Sequence, residues 1–195
     1  MENYIDESGW SEGHKENVSY AYLDWCTWNG FLYTPKKYRR TKKLPYVPHE
    51  KDIEQLIGGF ANSIYAPFLQ LLKETGFRPV EACRIKPGDF DLEGRKVTLN
   101  QPAKGSNPRQ MRISLKLVGM LLPLISDTLT GERIWRSKPD HIYNTIRIRR
   151  SKLAKSLGNP ALLRVNLKSF RHWKATMEYH RTRDILYVKE LLGHK

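Results

Sequence analysis

This sequence predicts a mixed α+β fold, mostly helical, with one small three-stranded antiparallel sheet. Two observations carry that prediction. Apolar residues recur at helical spacing through most of residues 49–195, as in "HEKDIEQLI", where Ile53, Leu56 and Ile57 share a face. The period drops to two in "FDLEG", "RKVTLN" and "RQMRISL", and turn residues at Gly94 and in "KGSNP" separate these three runs.

The elements follow in chain order. Residues 18–31, "VSYAYLDWCTWNGF", set Val18, Tyr22, Trp25 and Trp28 near helical spacing and predict an aromatic-rich helix. "TPKKYRRTKK" (34–43) then packs six bases into ten residues with no acid, and "LPYVP" closes it. Prolines restrict their neighbours to extended conformations, so this reads as a linker. Its bases Lys36, Lys37, Arg39, Arg40, Lys42 and Lys43 read as contacts to a nucleic-acid backbone.

After Ile57, "APFLQLLKETG" predicts a second apolar helix ended by a left-handed cap at Gly76. "RPVEACRI" puts Pro79 at a first helical position and Glu81 in the first turn, which holds Arg78 on a tight joint between helices. Lys104 falls at the tip of the second hairpin. Helical pattern resumes at "LKLVGMLLPLIS" and from Pro139 to Leu157, where Ile142, Ile146, Leu153 and Leu157 form the buried stripe and Gly158 the stop. The other side of that last helix carries Arg147, Arg149, Arg150, Lys152 and Lys155, an unbalanced cluster that favours nucleic acid.

Charge points to the same partner. The formal net charge is +14 and the pI about 9.8, which suits a polyanion. Residues 1–33 hold six acids and one base, whereas residues 34–195 hold 33 bases and 14 acids, so the basic function belongs to the C-terminal part. Cys26 and Cys83 have neither zinc-site spacing nor the density of a disulfide scaffold and read as core residues of a protein from a reducing compartment. The longest apolar run, "VGMLLPLI" (118–125), is too short for a bilayer, so no membrane partner is expected.

Four groups stand apart from ordinary surface charge: Arg78 on its joint, Lys104 on its hairpin, and Lys168 with Arg171 in the first turn of a helix. Two arginines can grip the non-bridging oxygens of one phosphate through bidentate, permanently charged hydrogen bonds. A helix N-terminus adds free N–H groups and a positive dipole end.

These segments resemble the tyrosine recombinases, the phage integrase family. "ETGFRPVEACRIKPGDFDL" resembles the family's first arginine box and "AKGSNPRQMRISL" its hairpin lysine segment. "KSFRHWKATMEYHRTRDILYVKELLGHK" resembles its second box followed by the Leu-Gly-His segment. All three stand in the family's order. The resemblance covers residues 49–195 as a catalytic domain, after a remnant of the helical core-binding domain at 1–33 and a basic linker at 34–48.

The resemblance implies a site-specific recombinase or integrase that cuts and rejoins duplex DNA through a 3′-phosphotyrosine link. Arg78 and Arg171 would bind the scissile phosphate, Lys104 would protonate the departing 5′ hydroxyl, His194 would hydrogen-bond the phosphate or orient the nucleophile, and Glu81 would buttress the site. Positioning and electrostatics carry such chemistry, so no cofactor, metal or ATP, is expected. A homotetramer on DNA and a cytoplasmic, nucleoid-associated location are also implied.

Two departures from the family pattern matter. Lys168 stands where the family usually has His, a feature associated with archaeal and archaeal-virus members. The family's tyrosine lies about nine residues past the Leu-Gly-His segment, two to three helical turns, beyond Lys195. Tyr179, about 12 Å along the helix from Arg171, and Tyr187 read as structural. The expectation is therefore a chain that binds DNA and presents most of an active site without forming the covalent link itself. The alternatives are a non-catalytic DNA-binding remnant of an integrase and a type IB topoisomerase.

Overall fold

The computed structural model describes residues 1–39, 44–129 and 131–194. The chain divides into two compact units, Met1–Leu44 and Pro45–Lys195.

In the first unit, helices α1 (Glu2–Glu7) and α2 (Glu12–Trp28) pack together. Ser11 caps α2 by accepting from the His14 N–H at 3.4 Å. The aromatic-rich helix read from residues 18–31 is present within α2, but its tryptophans are not on its buried side. Trp25 and Trp28 are exposed, while Ser19 and Cys26 are buried, with Ser19 hydrogen-bonded to the Tyr33 hydroxyl at 2.9 Å. Trp25 instead stacks between Tyr22 and Phe31 near the surface. The first part of the expected linker is ordered onto this unit, because Tyr38 and Lys36 both donate to the carboxylate of Asp6 on α1.

The second unit is built around α4 (Tyr65–Thr75), which is buried on nearly all sides. A helix that is apolar all round needs neighbours on every side, and α4 has them. α3 (Glu50–Gly58), α6 (Leu115–Ser126) and α8 (Leu167–Thr182) all pack on it. Phe68, Leu69, Leu71 and Leu72 are fully buried there, each such burial stabilising by about 1.5–3 kcal/mol. Gly76 ends the helix at φ +63°, as the sequence predicts. The chain then turns through Phe77 and Arg78 into the one-turn helix α5 (Pro79–Ala82).

The three predicted strands are present as β1 (Phe90–Asp91), β2 (Lys96–Leu99) and β3 (Arg109–Arg112), antiparallel in the order β1-β2-β3. Val97 pairs with Phe90 on one side and with Met111 on the other. α7 (Pro139–Ser156) buries Ile142, Ile146 and Ala154. Leu157 does not belong to that stripe; it caps the helix and is exposed, because α7 ends one residue before it. A 3-10 turn at Pro160–Arg164 leads to α8, and α9 (Ile185–Leu191) follows it. Among the described residues no helix is long and apolar enough to cross a membrane.

Candidate active site

Glu81 organises the site. Its carboxylate is fully buried and accepts four hydrogen bonds. Oε2 takes the Arg78 N–H at 2.8 Å and Arg109 Nη2 at 2.8 Å; Oε1 takes Arg78 Nη1 at 2.9 Å and the Ala103 N–H at 3.0 Å. Four donors match the lone-pair sites of an ionised carboxylate. Burial alone would raise its pKa, but the N–H groups of Arg78 and Ala103 and the Arg109 cation outweigh it and hold the carboxyl below its ordinary value. The sequence produces this locally. Pro79 starts α5, so Glu81 sits at the third helical position, where its side chain reaches back to the Arg78 N–H.

That one carboxylate fixes two separate pieces of chain. Arg78 is held against it and also donates to Ser106 Oγ at 2.6 Å. The bond to Ala103 anchors the hairpin on which Lys104 rides, with Lys104 at φ +57° and Gly105 at φ +65°. Two successive left-handed residues throw the Lys104 side chain outward, and it is exposed.

Arg171 comes from the other direction, at the start of the second turn of α8 rather than in its first. Asn166 caps that helix by accepting from the N–H groups of Lys168 and Ser169 at 2.9 and 3.2 Å. The Arg171 guanidinium donates through Nη1 to the Gly76 carbonyl at 2.9 Å and through Nη2 to the Leu192 carbonyl at 2.8 Å. His194 Nε2 lies 3.0 Å from the same Nη2. The first arginine joint, the second arginine box and the Leu-Gly-His segment thus meet at one guanidinium. Burial, then the cations of Arg78 and Arg109, push the Arg171 pKa down to about 10, with Glu81 opposing. The group remains a cation at neutral pH. Burial first, then Arg171, Arg78, Arg109 and Lys189, lower the His194 pKa, so the imidazole is neutral at pH 7.

Gly193 closes the assembly. Its carbonyl accepts from the Asn107 N–H at 3.0 Å, tying the lysine hairpin to the end of α9. Its φ is +70°, and a Cβ there would stand 2.8 Å from Arg109 Nη1 and 3.0 Å from the Asn107 carbonyl oxygen. Only glycine fits both demands.

Of the residues singled out in the sequence, Arg78, Glu81, Arg171 and His194 are brought together and Lys104 is tethered beside them. Lys168 is exposed at the start of α8, and no hydrogen bond among the described residues ties its ammonium into this network. The sequence reading missed Arg109 and Ser106. Arg109 was recoverable, since period two on β3 puts it on the same face as Met111 and Ile113, both buried. A cation facing the core requires an acidic partner.

The proposed DNA-binding bases divide. On α7, Arg147 and Lys152 are exposed as expected. Arg149 and Arg150 are half-buried and engaged instead. Arg149 lies over the Phe60 ring at 4.6 Å, and Arg150 donates to the Val165 carbonyl. They leave the exposed face because α7 turns that side toward the chain at Gly59 and Val165. Lys36 is ion-paired with Asp6 at 2.6 Å, while Lys37 and Arg39 are exposed. Arg40, Lys42 and Lys43 lie outside the described residues.

Two guanidinium groups bonded to a single carboxylate, with Arg171 close enough to feel their charge, leave a net positive cluster suited to an oxyanion. Solved structures share this fold. XerA recombinase is 21% identical, with a TM-score of 0.64, over 99% of this chain and 71% of that one. XerH site-specific recombinase bound to difH substrate is 20% identical, with a TM-score of 0.70, over 98% of this chain and 62% of that one. The catalytic domain of bacteriophage HP1 integrase is 22% identical, with a TM-score of 0.57, over 78% of this chain and 82% of that one. The sequence pattern of the Phage integrase family matches residues 49–195, and the chain belongs to that family, the tyrosine recombinases.

Proposed function

We propose that the chain is a site-specific DNA recombinase or integrase that binds duplex DNA and supplies the phosphate-binding part of a strand-cleaving site. The observation that carries this reading is the pairing of Arg78 and Arg109 with the buried carboxylate of Glu81, beside an Arg171 that feels the charge of all three and is bonded to His194. Arg78 and Arg171 bind the scissile phosphate and neutralise charge as it builds on phosphorus. In the reaction a tyrosine oxygen attacks phosphorus, the bond to the 5′ oxygen breaks, and Lys104 gives that oxygen a proton. His194, neutral, hydrogen-bonds the phosphate or orients the nucleophile. Lys168 adds a point charge at the rim.

The nucleophile is neither Tyr187 nor Tyr179. The Tyr187 ring and hydroxyl are engaged by the Arg181 guanidinium, with the hydroxyl 3.5 Å from Nη2. Tyr179 lies about 12 Å along α8 from Arg171. Residues 1–33 serve as part of a helical core-binding domain, residues 34–48 as a basic linker, and residues 49–195 as the catalytic domain. The active assembly is a homotetramer on DNA in the cytoplasm.

Duplex binding measured across salt concentrations tests the reading. Contacts to several phosphates give a fall in log K of about 0.9 per contact for each unit of log salt; a flat dependence overturns it. A nicked, labelled duplex tests the nucleophile. A denaturant-stable adduct mapped to Tyr179 or Tyr187 contradicts the assignment above.

A further inference from the structure

Arg109 lies in the hairpin lysine segment but has no role in the sequence reading, yet its cation is buried. Its side chain is 6% exposed. One N–H bonds Glu81 Oε2 at 2.8 Å, its guanidinium lies 4.9 Å from the Phe77 ring centroid, and Nη1 is 3.5 Å from the Asn107 carbonyl. Its Nε is buried with no partner. An orphaned buried donor costs about 1–3 kcal/mol, and an apolar side chain of similar length would fill the slot without that cost. Packing therefore does not account for an arginine here.

Its neighbours do. Phe77 and Glu81 flank Arg78 in sequence, Asn107 belongs to the Lys104 hairpin, and Gly193 precedes His194. Arg109 touches or closely approaches a residue from each of the three segments that furnish the site. We propose that Arg109 is a positioning residue of the phosphate site: by neutralising Glu81 from inside, it keeps that carboxylate available to hold Arg78 and the lysine hairpin, and it adds fixed positive charge behind Arg171 and His194.

This inference rests on the proposed reading of the site as a DNA-phosphate pocket, but one arm of its test does not. The charge from behind is felt at both Arg171 and His194, where Arg109 is among the cations that lower the pKa. Around His194 the other contributors are Arg171, Arg78 and Lys189. At 6% exposed, the Arg109 guanidinium itself reaches no phosphate. A phosphate ligand and a positioning residue therefore differ in their salt signature, since only a contacting cation displaces counterions.

The experiment uses the 195-residue chain and the variants Arg109→Gln and Arg109→Lys, with an NMR titration of the His194 ring in free protein and duplex binding across salt. Arg109→Gln is expected to raise the His194 midpoint and to weaken duplex binding roughly tenfold, about 1.4 kcal/mol, without changing the salt slope. Arg109→Lys restores both, because a single N–H···O bond joins residue 109 to Glu81 and lysine can supply one. If Arg109→Gln does not fold, Arg109→Lys carries the test alone, with a wild-type His194 midpoint and affinity supporting the proposal.

The proposal is overturned if Arg109→Gln leaves the His194 midpoint and affinity unchanged, or if Arg109→Lys is as impaired as Arg109→Gln. It is also overturned if Arg109→Gln lowers the salt slope by about 0.9, the mark of a lost phosphate contact. A flat salt dependence in the unaltered chain sinks the DNA reading instead, and the His194 titration still decides the role of Arg109.

Discussion

Arg171 Nη2 stands 3.0 Å from His194 Nε2. A guanidinium only donates, so the imidazole accepts at Nε2 and carries its proton on Nδ1. NMR of the ring should show that tautomer and a pKa below the ordinary 6.5. Below that value the unfolded chain takes up the proton before the folded one. Stability therefore falls slightly as pH drops from about 6.5 toward the lowered folded value. The change is small because the ring is largely open to solvent. A His194→Gln variant should lose this component of the pH profile.

Glu81→Gln removes the counter-charge that Arg78 and Arg109 share among the described residues. Breaking such a pair from one side costs about 3–5 kcal/mol, read as a lowered midpoint in denaturant with unchanged slope. The gap between wild type and variant is full above about pH 4.5, the ordinary glutamate value. It closes as pH falls from there through the lower folded pKa, where the folded carboxylate is finally protonated. A gap that stays constant down to pH 3 would contradict the account.

Gly193→Ala places a methyl against the Asn107 carbonyl and Arg109 in a left-handed backbone. A cost of about 1–3 kcal/mol follows. Because the Asn107-to-Gly193 bond ties hairpin to helix end, hydrogen exchange should speed up at Asn107 and at His194 before it does in α4. Uniform loosening would instead indicate a global defect.

Asn166→Ala strips the cap that accepts from Lys168 and Ser169. Helix caps of this kind contribute about 0.5–2 kcal/mol. Arg171 lies directly after the first turn of α8, so fraying there should weaken duplex binding along with stability. Asn166→Asp, which keeps the acceptor, should restore both.

The architecture of Pro45–Lys195 was legible because its signals are local. Gly76 and Gly158 stop helices where left-handed backbone is needed, Pro79 starts one, and period two marks the sheet. α1 and the first turns of α2 escaped notice because "ENYIDE" and "EGHKEN" offer almost no apolar periodicity. Trp25 and Trp28 marked the end of α2 by their spacing, but spacing alone does not say whether a partner covers large aromatic rings, and here they are exposed. Arg149 and Arg150 looked like free cations because their partners, Phe60, Gly59 and Val165, are far off in sequence or offer only backbone carbonyls. The individual members of the site could be named from motif spacing, but the bonds that organise it run from Glu81 to Ala103 and Arg109, and no local pattern announces a pairing across 28 residues.

The central claim is that Arg171 faces a DNA phosphate. Its most direct test compares the salt dependence of duplex binding for the unaltered chain and for Arg171→Ala. The account predicts a steep linear fall of log K with log salt, and a slope shallower by about 0.9 in the variant as one phosphate contact disappears. Equal slopes in the two proteins, with the variant folded, would contradict it.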